Sequence, residues 1–106
     1  MNYQEWEKYM LAQGHPKPFL KNIAVGSVMT LQESIVKINK EPVKEIKLNE
    51  ANELKFNSKK FGLSKMETLS DTLAKKINSD DEIKGILKEL VIHLKQFKEM
   101  VKDNCS

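Results

Sequence analysis

The sequence predicts a mainly α-helical domain, a small bundle of about four helices. Apolar residues recur at spacings of three and four over most of the chain, and polar pairs typical of helix N-termini precede these runs. The chain has 106 residues, of which 40% are hydrophobic and 31% are charged, which suits one compact core. We therefore expect a single helical domain over residues 1–106.

The first helix is predicted to begin at Tyr3. Asn2 can accept a hydrogen bond from the amide of Glu5 while the Glu5 side chain reaches back, which is the form of a capping box. Gly14 can adopt the left-handed conformation that ends a helix. We expect this helix, over residues 3–13, to dock on a partner or to swap to one.

The second helix is predicted to begin at Pro18, because the missing proline amide costs nothing at the first helical position. Pro42 ends it near Lys40. Apolar residues line one face at steps of 4, 4, 3, 4 and 3, and three more beside them make this face wide enough to pack on two neighbours. The first set is Leu20, Ala24, Val28, Leu31, Ile35 and Ile38, and the second set is Val25, Met29 and Val36.

Residues 43–62 fit two interpretations. Apolar and polar residues alternate over 46–48 and 54–56, with the period of two that is typical of β-strands. On this basis we predict a short β-hairpin insert around residues 43–57. The alternative is a helix that begins at Asn49, because glutamate, alanine and leucine are good helix formers.

Two further helices are predicted on either side of a tight turn. Ser64 with Glu67, and Ser79 with Glu82, are capping boxes that mark their N-termini. So short a turn makes the third and fourth helices an antiparallel hairpin. Apolar residues in the fourth helix step by 4, 3, 4, 3 and 4: Ile83, Leu87, Leu90, Leu94, Phe97 and Val101.

The basic residues are 18 lysines with no arginine, and the net charge is +3. Arginine supplies the fork that reads guanine edges, so its absence argues against sequence-specific DNA recognition. The acidic start of the fourth helix, residues 80–82, would also repel DNA. A phosphate contact is still conceivable through one lysine cluster, which is Lys55, Lys59, Lys60 and Lys65.

The residues that usually carry chemistry are few and scattered. His15, His93 and Cys105 are too few and too dispersed for a zinc site, and the four glycines stand singly, so they form no phosphate-binding loop. Cys105 has no second cysteine to pair with, and we expect it to be an exposed thiol. We expect no catalytic residue, cofactor or metal, and we do not expect an enzyme.

The chain also lacks a predicted membrane span. Its longest uncharged stretch, residues 22–32, has eleven residues, where a span needs about 20. Glu5 and Glu7 argue against a secretory signal. We expect a cytoplasmic protein without a membrane partner.

These observations lead to the hypothesis of a small accessory protein, a regulator, inhibitor or chaperone of the kind carried by bacteria and their mobile elements. It would act by occupying the surface of another protein, or it would bind a second copy of itself as a homodimer. The alternative is a nucleic-acid-binding transcriptional regulator that uses the lysine cluster. Aromatic residues and methionine are enriched at interface anchors, so the predicted protein interface is Tyr3, Trp6, Tyr9 and Met10.

Overall fold

The computed structural model describes residues 2–105, without the side chain of Cys105, and within this range it contains five α-helices and no strand. The predicted mainly helical class is therefore confirmed, whereas the predicted count of four helices is one too low. The expectation of an exposed Cys105 thiol lies outside the described residues. The helices are α1 (Tyr3–Ala12), α2 (Leu20–Lys40), α3 (Lys44–Lys60), α4 (Ser64–Lys75) and α5 (Asp80–Cys105).

Helices α2 to α5 form a ring in which each packs on the next, and α5 returns to α2. The end of α2 at Asn39 lies beside the start of α5 at Lys84. The start of α4 at Ser64 lies beside the second half of α5 at Gln96. Neighbouring helices therefore run antiparallel, as in an up-and-down four-helix bundle, and their buried faces form one hydrophobic core.

The β-hairpin predicted around residues 43–57 is wrong, because this segment belongs to α3. The buried positions of α3 are Ala51, Leu54 and Ser58, which have helical spacing but include only one large apolar side chain. The alternation over residues 54–56 came partly from Phe56, which is 67% exposed. A pattern of period two therefore arose from one buried and one exposed side chain on a helix.

Most predicted helix boundaries agree with the structure to within two residues. The Asn2 side chain accepts a hydrogen bond from the Glu5 amide at 2.9 Å, which confirms the first cap. Pro18 lies instead in a 3-10 turn before α2. Ser64 is already helical, and its predicted capping bond is absent because Leu63 takes the cap position without a side-chain hydrogen bond.

Helix α1 lies on the corner between α3 and α4. The Trp6 side chain is fully buried, its indole N–H donates to the Phe61 carbonyl at 2.8 Å, and its ring centroid lies 5.9 Å from that of Phe97 in α5. The Tyr9 hydroxyl donates to the Lys59 carbonyl at 3.1 Å. In this structure, α1 is thus docked on its own chain.

A glycine with positive φ ends both α1 and α3: Gly14 at +90° and Gly62 at +73°. In both turns the residue after the glycine donates its amide to the carbonyl five residues earlier, which satisfies the helix C-terminus. Only Gly62 is crowded, since a Cβ there would lie 2.6 Å from Cδ1 of Tyr9, while nothing lies within 4 Å at Gly14. Gly62 therefore allows both the sharp corner and the close approach of α1.

We expect Gly62→Ala to destabilise the protein more than the matched change Gly14→Ala. Both changes force an L-residue into the left-handed region, at a cost of about 1–2 kcal/mol. Only Gly62→Ala also pushes a methyl group into the Tyr9 ring, which should add about 1–3 kcal/mol of overpacking. Urea denaturation measures the difference, and equal losses would contradict the close packing of α1 on this corner.

Candidate functional site

The predicted interface residues of α1 divide into two pairs. Trp6 and Met10 have no exposed surface and belong to the core, whereas Tyr3 is partly buried and Tyr9 is 37% exposed. A fully buried side chain cannot contact a partner unless α1 leaves the bundle. Trp6 and Met10 therefore contribute to the hydrophobic core, and the interface role predicted for the four residues stays a prediction.

The predicted lysine cluster is not one patch of free charge. Lys55 donates to Oδ1 of Asp71 at 2.9 Å. The Lys60 ammonium lies 5.7 Å from the centroid of the Phe61 ring, and Lys59 is exposed beside it at the end of α3. Lys65 lies at the start of α4 and lines a groove between α4 and α5. Only Lys59, Lys60 and Lys65 are left for the predicted nucleic-acid contact, which no observation tests.

Asp71 lies between two lysines. The hydrogen bond from Lys55 and that from Lys75, whose ammonium lies 3.0 Å from Oδ2, lower the pKa of Asp71 below its ordinary value of 3.8. The carboxylate thus neutralises charge that the sequence alone leaves free, and it links α3 to α4.

The two histidines lie apart within the described residues. His93 lines the α4–α5 groove with Lys65, Phe97 and Met100, in a cavity of about 220 Å³. Ligand pockets usually enclose about 300–1,000 Å³, so this groove is small for a ligand. Within residues 2–104, no three His, Cys, Asp or Glu side chains lie close enough to hold a metal ion. No helix in the described range is both long and apolar enough to cross a bilayer.

An exposed apolar line on α2 is the first surface feature that folding leaves unexplained. Val25, Met29 and Val36 are 49%, 59% and 43% exposed, and we call them the α2 stripe. Their spacings of four and seven place them on one side of the helix, apart from buried core residues such as Leu31 and Ile35. The sequence predicts these residues as a widening of the apolar face of α2 that packs on two neighbours, whereas in the structure they are exposed.

The second feature is a row of lysines on α5. All five lysines of this helix, with Val91 between them, step by 4, 3, 4, 3 and 4 and therefore share one side. All five are exposed, and none takes part in an ion pair with another described residue. We call this row the lysine ridge: Lys84, Lys88, Lys95, Lys98 and Lys102.

The stripe and the ridge lie on neighbouring helices, α2 and α5. Lys84 and Asn39 line the same cavity, so the ridge runs along the side of α5 that borders α2. The opposite side of α5, with His93, borders α4. On α2, Val36 lines a cavity with Ile46 of α3, while Asn39, about 60° away round the helix, borders α5, so the stripe lies on the outer side of α2. We call the combined surface the α2–α5 face.

Neither the net charge of the chain nor that of α5 reveals the ridge. Helix α5 carries six acidic residues along with its five lysines, so its sum is slightly negative. Three of these acidic residues occupy other helical positions than the lysines. Asp81 and Glu99 border the ridge on its outer side, and Glu89 lies farther round the helix. A helical-wheel count of lysines alone would have found the ridge.

Comparison with protein-family models, with curated proteins and with solved structures finds no match to this chain. Its class is therefore defined by its own geometry. Over the described residues it is a five-helix domain in which α2 to α5 pack as a ring and α1 lies across one corner, and α2 and α5 carry the exposed apolar stripe and the lysine ridge.

We expect Trp6→Ala to lose about 3–5 kcal/mol of unfolding free energy, because it empties a fully buried site. Trp6→Phe keeps an aromatic ring but leaves the Phe61 carbonyl without its indole donor, which should cost about 1–3 kcal/mol. Chemical denaturation separates the two variants. If Trp6→Ala unfolds at the wild-type midpoint, α1 is not docked in solution and Trp6 regains its predicted interface role.

Asp71→Asn should lower stability near neutral pH and have less effect in acid. Because folding lowers the pKa of Asp71, its contribution is complete above about pH 4 and is lost as the pH falls through the lowered folded value. Urea midpoints of wild type and variant should thus converge as the pH falls below about 4. Asp103→Asn, at a residue without an ion pair in the described range, is the control. A difference in urea midpoint between wild type and Asp71→Asn that does not change with pH would contradict the ion pairs of Asp71.

Proposed function

We propose that this protein is a non-catalytic binding module that holds a helix of another protein on its α2–α5 face. The α2 stripe is the observation that carries this proposal. One apolar face is enough for a helix of a bundle, and α2 uses that face to fill the core. A second line of apolar side chains has no role in folding, and exposed apolar patches of this kind mark interaction sites.

The shape of the stripe suits a helical partner. It extends over twelve residues of α2, a rise of about 16 Å, which equals three turns of a partner helix. Helix recognition in grooves uses anchors at helical spacing, and a methionine adapts its flexible side chain to the shape of such anchors. Met29, the most exposed of the three, lies between the two valines and supplies this adaptable centre.

The proposal assigns no chemistry to the chain. His15 lies in the link between α1 and α2, and His93 lies in the α4–α5 groove, so the two side chains do not act together. The mechanism is then steric: a partner segment held on this face is not available for its other contacts. Such a module works as an inhibitor, a chaperone or an assembly factor, according to what the held segment does.

The double variant Met29→Gln/Val36→Gln tests the proposal. Both side chains are exposed, so each change should alter stability by no more than about 0.5 kcal/mol. Affinity capture from nuclease-treated lysate of the source cells should retain one near-stoichiometric protein on the wild type, and the double variant should lose it.

Phe56→Gln is the matched control, because it removes a similarly exposed apolar side chain from α3. It should retain the captured protein. If the double variant binds that protein as well as the wild type does, or if the wild type retains none, the α2 stripe is not a binding surface.

A further inference from the structure

We propose that the helix held on the α2–α5 face is acidic, with carboxylates beside its apolar side that bind the lysine ridge. This inference rests on the proposed function and names the chemistry of the partner. It is carried by the ridge, an observation independent of the α2 stripe.

The ridge is a long line of lysines that form no ion pair with the described residues. From Lys84 to Lys102 it extends over 19 residues, a rise of about 27 Å along α5. Beyond its first residue, Lys44 and Lys47 of α3 line the same cavity as Lys84, with Asp80 as the acidic residue there. Basic residues therefore continue beyond the N-terminal end of α5.

The chain does not neutralise this charge with the acidic residues it has. Lys55 and Lys75 bind Asp71, and Lys76 lies 3.8 Å from Glu82, yet no described residue pairs with a ridge lysine. Lysines three and four residues apart on one helix side repel each other. An anionic ligand would relieve this repulsion, so the ridge favours such a ligand on energetic grounds.

Apolar residues beside the ridge favour a protein helix over a nucleic acid. Val91, at 50% exposure, interrupts the lysines at the middle of the ridge, and the α2 stripe lies on the neighbouring helix. Aliphatic side chains add nothing to phosphate contacts. Neither the ridge nor the stripe contains an aromatic residue on which bases could stack. An amphipathic helix with glutamates or aspartates at the border of its apolar side fits both features.

Charge also argues against a second copy of this chain as the occupant. A two-fold interface puts the same face of two copies together. On the α2–α5 face, each lysine ridge would then meet either the other ridge or the apolar stripe. The first pairing is repulsive and the second buries ammonium groups against aliphatic side chains, so both are unfavourable.

The experiment titrates the full chain with three synthetic amphipathic peptides of equal length and identical apolar anchors. The polar positions beside the anchors are glutamate in one, glutamine in the second and lysine in the third. Backbone amide shifts measured by NMR should move on α2 and α5, and affinity should fall from the glutamate to the glutamine to the lysine peptide. Added salt should weaken the glutamate peptide most.

The double variant Lys88→Glu/Lys95→Glu should weaken the glutamate peptide about tenfold, because each change turns an attraction into a repulsion. The control Lys59→Glu/Lys60→Glu makes the same change in net charge at the end of α3 and should leave the affinity unchanged. Circular dichroism shows whether both variants keep their helix content. Equal losses for the two variants would overturn the ridge as a specific contact.

The two proposals fail in distinguishable ways. If all three peptides bind equally and Met29→Gln weakens them, the partner is not acidic but the proposed function stands. If none binds, the acidic partner is overturned, and capture with the stripe variant decides the proposed function separately. Three other results also overturn the acidic partner. A 20-base-pair DNA duplex, or vesicles of phosphatidylglycerol, could bind the ridge more tightly than the glutamate peptide does. Sedimentation could also show that the chain associates with itself through Met29.

Discussion

The contact of Trp6 with the α3–α4 corner fixes the arrangement on which the rest of the surface depends. The indole donates to the Phe61 carbonyl from a fully buried position, so the corner backbone and α1 satisfy each other. Gly62 contributes to this contact in two ways. Its left-handed backbone forms the turn, and the absence of a side chain leaves room for the Tyr9 ring. Without that glycine the turn between α3 and α4 would be wider, and α1 would lose its packing against it.

Because α1 packs on its own chain, the aromatic residues that the sequence predicts as an interface make contacts within the chain. The exposed apolar surface lies elsewhere. The ring of four antiparallel helices makes α2 and α5 neighbours although they are far apart in the sequence. This packing places the α2 stripe and the lysine ridge on adjacent helices. The candidate site is therefore a product of the bundle's topology, and neither helix carries it alone.

The sequence predicts best where core positions are large and apolar. Helices α2 and α5 were found with nearly correct bounds because six apolar residues mark each core face. Helix α3 was misread because Ala51 and Ser58 fill core positions with small side chains, while Phe56 and Ile46 are exposed. Small residues there let α3 pack closely on its neighbours, but they give almost no hydropathy signal. The paired state of Lys55 was beyond prediction, since Asp71 meets it only through the α3–α4 packing.

The use of lysine alone has a consequence for how the α2–α5 face would recognise a partner. An ammonium group on a flexible stem acts as a point charge and does not impose the paired geometry of a guanidinium. A ridge of such groups would attract carboxylates at many positions and speed association, whereas the stripe would fix where the partner's apolar anchors lie. Repulsion between lysines along α5 opposes folding, and the proposed acidic helix would reduce it. Partner binding and bundle stability would then be linked, because a ligand that binds only the folded chain shifts the unfolding equilibrium by mass action.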